Sequence, residues 1–166
     1  MAKAYDARHL SNNKAYEVQR NNHFELIIPK MGDDFTLVVA RCNFPEIGVD
    51  VTELNYGNTK AKVAGLVNLG EGSIDVRDSI IKDTEKKINA WQKQVYNPET
   101  GKMGWAHSYK RDCQVNQYAP DGTYVRSWVL EGAWPSNVTY GEGDYTNGDA
   151  KTITMTLQYD NAKLKR

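Results

Sequence analysis

Cysteine is nearly absent from this 166-residue chain: only Cys42 and Cys113 are present. That excludes a disulfide framework, and both sit among apolar neighbours, so they read as buried free thiols. Histidine is equally scarce. His9, His23 and His107 fall in a terminal arm, at a strand start and in a loop, without ligand spacing, so no metal centre is expected. Charge of either sign is not in excess, at 21 basic against 21 acidic residues, which removes the polycationic surface that binds nucleic acid by counterion release. A neutral chain is also suited to associating with itself. No apolar run approaches membrane-spanning length, and the N-terminal segment MAKAYDARHLSNNKAYEVQRNN lacks the apolar stretch of a signal peptide. The expected place is therefore a reducing cytoplasm, without membrane insertion. In that setting the sequon Asn137-Val138-Thr139 carries no meaning.

Catalytic motifs are missing too. There is no GxSxG, HExxH or CxxC, and neither Gly101-Lys102 nor the glycines between 65 and 72 are accompanied by the rest of a phosphate loop. The acidic stretch Gly141-Glu142-Gly143-Asp144 is followed by Tyr145, Thr146 and Gly148, which break the carboxylate spacing of a calcium loop; it reads as a turn. Asp112 and Glu131 are candidate paired carboxylates on neighbouring strands, but a pair makes no glycosidase without a substrate groove. The expectation is a protein that is not an enzyme and uses no cofactor.

What the chain does have is ten tyrosines and four tryptophans, residues that favour strands and interfaces. The most informative segment is 113–132, CQVNQY-APDG-TYVRSWVLEG, two strand-like runs around a turn in which Pro120 presets φ and Gly122 takes positive φ. Strict alternation puts Tyr124, Trp128 and Leu130 on one face and Val125 and Val129 on the other. Apolar residues on both faces predict a strand pair covered on both sides, with a second copy of the chain as the second cover. Assembly is therefore the first hypothesis.

Other elements follow from periodicity. A strand is predicted over 23–29, with Phe24, Leu26 and Ile28 on one face, and a central strand over 35–42, FTLVVARC, apolar on both faces. The stretch 47–63 reads as a long projecting β-hairpin with its turn near 55–58; such a structure, marginal alone, is usually a partner-binding device. Residues 73–78 alternate as a half-buried strand. A helix is predicted over 79–96 with Ile80, Ile81, Thr84, Ile88, Trp91 and Val95 inward and N-cap chemistry from Asp78 and Ser79. A short strand over 134–140 belongs at an edge or begins at Pro135, and 151–159 alternates Ile153, Met155, Leu157 and Tyr159 against threonines. Residues 1–22 are either an arm ordered on a neighbour or a frayed terminus; 23–166 is one domain without repeats or linker.

In this order, the pieces resemble the tail tube proteins of contractile-tailed bacteriophages, a family related to the inner tube of type VI secretion systems. The resemblance rests on HFELIIP and FTLVVARCNFP (23–45), IGVDVTELNYGNTKAKVAG (47–65), IDVRD with the helix ending INAWQKQVYNPETGKMG (74–104), and YKRDCQVNQYAPDGTYVRSWVLEGAWPSNV with the closing ITMTLQYD (109–160). It implies a mainly β fold, a two-sheet β-sandwich or partly closed barrel with one flanking helix and the projecting hairpin. It also implies hexameric rings stacked as a hollow tube inside a contractile sheath, with sheath, tape-measure, baseplate and tail terminator proteins as partners. The tube would be part of the virion tail, made in the bacterial host, and viral DNA would pass through it without specific binding.

Four strands from each of six subunits would make a barrel of roughly 24 strands and about 50 Å backbone diameter. After inward side chains, roughly 40 Å remains for a duplex about 20 Å across. Lys110, Asp112, Gln114 and Asn116 offer a mixed polar face for that lumen. Val49, Val51, Leu54, Tyr56 and Asn58 belong to an arm that by analogy reaches the next ring, and Tyr124, Trp128 and Leu130 to strands that meet neighbouring subunits. The alternatives are a baseplate tube initiator, a type VI secretion tube subunit and, in a different class, a monomeric carbohydrate-binding β-sandwich using Trp105, Trp128 or Trp134.

Overall fold

Alternating apolar and polar residues recur along most of this chain, and strands carry most of the architecture. A computed structural model of the protein describes residues 14–166. Most of the proposed N-terminal arm, and His9 with it, lies outside the described residues. After a single 3-10 turn, Lys14–Tyr16, come β1 (Phe24–Ile27), α1 (Asp33–Val38), β2 (Val39–Cys42), β3 (Ile47–Tyr56), β4 (Thr59–Leu69) and β5 (Gly72–Arg77). The main helix α2 (Thr84–Val95) follows, then the minimal pair β6 (Tyr96–Asn97) and β7 (Lys102–Met103), the one-turn α3 (Ala106–Tyr109), and β8 (Arg111–Tyr118). The chain ends with β9 (Tyr124–Thr139), β10 (Thr152–Gln158) and β11 (Asn161–Lys165).

Two antiparallel sheets share β9. Its first half pairs with β8 and β11, and β8 also pairs with β1. Its second half pairs with β10, which continues through β5 to β2. The strand changes sheet at Gly132, whose φ of +67° opens a corner that an L side chain resists. There the Gly132 N–H donates to Asp112 Oδ1 at 2.9 Å and the Asp160 N–H to Glu131 O at 2.9 Å. A Cβ on residue 132 would collide with Asp160 Oδ2. Gly132→Ala is expected to cost about 1–3 kcal/mol, seen as a Tm several degrees lower; an unchanged Tm would mean the corner relaxes freely.

The core lies between the sheets and under α2. Leu26, Ile74, Val76, Val115, Ile153, Met155 and Leu157 meet there with Ile88 and Trp91 of the helix. β1 and β2 end the strand path without pairing to each other, so the sandwich does not close into a barrel, and a groove of about 760 Å³ lined by Phe24, Thr36, Cys42 and Phe44 among others lies between them. The β3–β4 hairpin pairs as a separate two-stranded sheet.

Several expectations need correction. Residues 35–38 of the supposed central strand belong to the helix Asp33–Val38: Asp33 and Asp34 suit a helix N-terminus, Phe35 is driven into the core, and Leu37 is left outside. Only Val39–Cys42 is strand, and it pairs with β5 alone at the end of its sheet, so it is an edge rather than central. The main helix begins five residues later than predicted, at Thr84. Asp83 is its N-cap and accepts from the Lys86 N–H at 3.4 Å, whereas Ile80 and Ile81 are 97% and 92% exposed. Pro135 lies inside β9 rather than at a strand start, but residues 134–139 of β9 pair only with β10 among the described residues, so this half is an edge as expected; Pro135 sits at a register shift opposite Leu157, where a missing N–H costs little.

The predicted face of Tyr124, Trp128 and Leu130 is also broken. Tyr118 pairs with Tyr124 but Gln117 with Arg126, which leaves Val125 as an extra, bulged residue. Past the bulge, Trp128 and Leu130 stand opposite Val115 and Cys113 on the core side, and Leu130 is buried in this subunit's own core. Tyr124 instead donates to Ser127 Oγ at 3.0 Å, on the outer side. The bulge thus moves Tyr124 to the face of Val129, and the hairpin still carries apolar side chains on both faces. A longer run of exposed apolar residues lies on the arm.

Candidate assembly surfaces

The outer face of the β1–β8–β9–β11 sheet, made of the residues that alternate with Leu26, Val115 and Leu130 in the pleat, is mostly polar, with Ile27 and Val129 on either side of Gln114 as its apolar part. Register places Glu25 beside Asn116 and Asn116 beside Ser127. Gln114 donates to Asn116 Oδ1 at 2.8 Å, and Asn116 Nδ2 donates to Glu25 Oε2 at 3.2 Å. The Tyr118 hydroxyl donates to the same carboxylate oxygen at 2.5 Å, and this bond raises the phenol pKa. Further along, Lys163 Nζ lies 2.7 Å from Glu131, and that bond holds the Glu131 carboxyl below its usual range. The face is therefore hydrogen-bonded to itself, with acidic and basic groups interleaved.

Of the four predicted lumen residues, the structure brings Gln114 and Asn116 together. Lys110 and Asp112 are engaged at the corner instead, Lys110 with Asp160 at 2.6 Å and Asp112 with the Gly132 N–H. Sequence reasoning missed Glu25, Tyr118 and Ser127. Glu25 was legible, since assigning Phe24 and Leu26 to the core leaves it on the outer face. Ser127 was not, because apolar residues on both sides of β9 hide which side belongs to the core. The two carboxylates considered for catalysis, Asp112 and Glu131, are both spent on this structure.

Each end of this sheet is open among the described residues: β1 pairs only with β8, and β11 only with β9. The second surface is the arm. β3 and β4 pair from Ile47↔Leu69 to Tyr56↔Thr59, so the hairpin runs to Leu69 rather than to Val63. Gly57, with φ of +59°, closes its two-residue turn. Val49, Val51, Leu54 and Tyr56 are all exposed along it.

The remaining sequence candidates are quieter. Trp105 is exposed, but Trp128 is half-buried against the core and Trp134 packs edge-on to Tyr109 at 5.6 Å, so the three form no flat aromatic platform. Asp144 accepts from the Thr146 N–H and hydroxyl, which makes 141–149 a turn. Among the described residues no group of three His, Cys, Asp or Glu side chains is placed to hold a metal. None of the described helices is long and apolar enough to cross a membrane. Burial pushes both thiols up to about 12. Only Cys113 is fully buried, while Cys42 is half-buried on the groove; alkylation of Cys113 in the native protein at pH 8 should be at least about a hundredfold slower than in urea, and an equal rate would show that this thiol is not held in the core.

The sequence profile of the T4-like virus tail tube protein gp19 family matches residues 20–163. The chain belongs to that family. This tail tube protein is 29% identical to the tail tube protein gp19 of Enterobacteria phage T4 over 146 residues, 85% of this chain and 88% of that relative. Among solved structures it is similar to the tube-terminating cap of the anti-feeding prophage, with a TM-score of 0.73 at 16% identity, covering 90% of this chain and 91% of that one. It is also similar to a chain of the PVC sheath–tube complex of an extracellular contractile injection system, with a TM-score of 0.67 at 15% identity over 98% and 99% of the two chains. Those likenesses concern the fold: a tail tube protein of mainly β architecture with one principal helix. Its role is that of a structural component of the virion tail.

Proposed function

We propose that this tail tube protein assembles as hexameric rings that stack into a hollow conduit within a contractile sheath. In each ring the open β1 edge of one subunit meets the open β11 edge of the next, so that six copies of the strands β1, β8, β9 and β11 close one inner barrel. The observation that carries this reading is that sheet itself. One face belongs to the core, the other is mostly polar and internally hydrogen-bonded, and both edges are unpaired among the described residues. An open edge is a template for another chain, and closure into a barrel removes it.

The outer face becomes the lumen wall. Glu25 and Glu131 balance Lys163 and Lys165 there, so phosphates find no net positive field and DNA passes without being held. The β3–β4 arm reaches the adjacent ring, and Tyr124, exposed at the start of β9, meets a neighbouring subunit. Sheath, tape-measure, baseplate and tail terminator proteins are the expected partners, with assembly in the host cytoplasm. The role is structural, not catalytic.

Negative-stain electron microscopy of the purified protein tests this directly. Hollow rings or tubes with an inner diameter near 40 Å are expected, the width that roughly 24 tilted strands leave. A single-copy species in ultracentrifugation at high concentration would overturn the proposal, and so would a strongly basic channel in the assembled particle.

A further inference from the structure

The arm carries two apolar patches, on opposite faces and at different heights. Near its tip, Tyr56 pairs with Thr59, Leu54 with Ala61 and Thr52 with Val63; these residues share one face, which is apolar at Leu54, Tyr56, Ala61 and Val63. The other face of the tip is charged, with Glu53 bridging Lys60 at 2.8 Å and Lys62 at 3.9 Å. Nearer the root the character reverses. Val51 pairs with Ala64, Val49 with Val67 and Ile47 with Leu69, all on the face that carries Glu53 further out, while Gly48, Asp50 and Asn68 lie on the opposite one.

The reversal comes with a bulge. Between the Val51↔Ala64 and Val49↔Val67 pairs, β3 has one residue and β4 has two, Gly65 and Leu66. A Cβ at residue 65 would lie 2.7 Å from Thr52 Oγ1 and 3.0 Å from Asp50 O, so the strands approach there more closely than a side chain permits. Leu66, highly exposed, extends the tip patch down to the bulge. A single flat partner can cover one of these patches but not both.

We infer that the arm is clamped between two different copies of this chain: the root patch packs on a neighbour within the same ring, and the tip patch on a subunit of the adjacent ring. This rests on the stacked-ring reading above and assigns its partners. The root patch begins where the strands leave the subunit body, at the Gly70 N–H to Glu46 O bond, so its cover must stand beside that body. The tip, ten residues out along β3, lies roughly 30 Å away and reaches past it. Neither patch approaches the roughly 800 Å² per partner of a stable interface, so each supplements a wider contact rather than making one alone. The charged face of the tip stays wet.

Two double variants separate the patches: Val49→Ser with Val67→Ser at the root, and Leu54→Ser with Tyr56→Ser at the tip. In wild-type preparations rings and tubes are expected; if no rings form, the stacked-ring reading itself falls, and this inference with it. Given wild-type tubes, the root variant should lower ring yield by at least about tenfold, as expected for losing two valines from an interface. The tip variant should keep rings and lose tubes. Equal behaviour of the two variants, rings in both or in neither, overturns the assignment. Circular dichroism confirms that both remain folded; should a double variant unfold, the single changes Val67→Thr and Tyr56→Ser carry the same contrast.

Discussion

Trp91→Ala is expected to remove about 3–5 kcal/mol of stability, a large share of the 5–15 kcal/mol that holds most domains together. Trp91 is fully buried in the helix face that packs on both sheets. Its indole N–H donates to Tyr109 O at 2.8 Å, and the Arg111 guanidinium stands 4.5 Å from the ring centroid. Arg111 is itself buried, donates to Pro29 O at 2.9 Å and Gln94 Oε1 at 3.2 Å, and has its pKa lowered by desolvation. Truncation therefore opens a cavity, orphans a carbonyl and strips a buried cation of its aromatic cover. Trp91→Phe keeps most of the packing and should cost only about 1–3 kcal/mol, chiefly through the orphaned acceptor. Urea unfolding followed by circular dichroism measures both. A near-native midpoint for Trp91→Ala would show that the helix is not the keystone between the sheets.

Deleting residues 54–59 is expected to leave the subunit folded, with an unchanged Tm, while abolishing long tubes. Every residue removed is exposed and lies beyond the bulge, so the core loses nothing. What disappears is the tip patch and the turn that presents it. Electron micrographs should show rings and short stacks in place of tubes. Tubes of normal length would exclude the arm from stacking, and a lowered Tm would mean that the arm supports the subunit as well.

The sequence read differently in different places, for physical reasons that can be named. β10 was legible because Ile153, Met155 and Leu157 alternate strictly with threonines, and the structure buries those three and leaves Thr152 and Thr154 exposed. The arm was legible because a long alternating stretch with glycine at its turn has few other homes. Residues 35–42 misled because the β-branched run hides a helical turn that tertiary contact selects: Phe35 enters the core only if the chain coils, and Thr36 then donates to Leu26 O at 3.1 Å. Ile80 and Ile81 misled because helical spacing continues past the true cap at Asp83. The membership of the family was also legible, since the order of motifs survives where individual contacts do not.

The chain's own residues determined a mainly β subunit with one principal helix, an exposed hairpin, free thiols and no surplus charge, because side-chain period, turn chemistry and composition are local properties. Only the tertiary structure decided that β9 is one strand shared by two sheets, that Tyr124 parts from Trp128 and Leu130, and that Val67 and Leu69 of β4 join Val49 and Ile47 of β3 on one face of the arm. Each of those turns on a single extra residue in a ladder, at Val125, near Gly132 or at Gly65–Leu66. A one-residue shift reverses every side chain beyond it, and whether it occurs depends on the strand lying alongside.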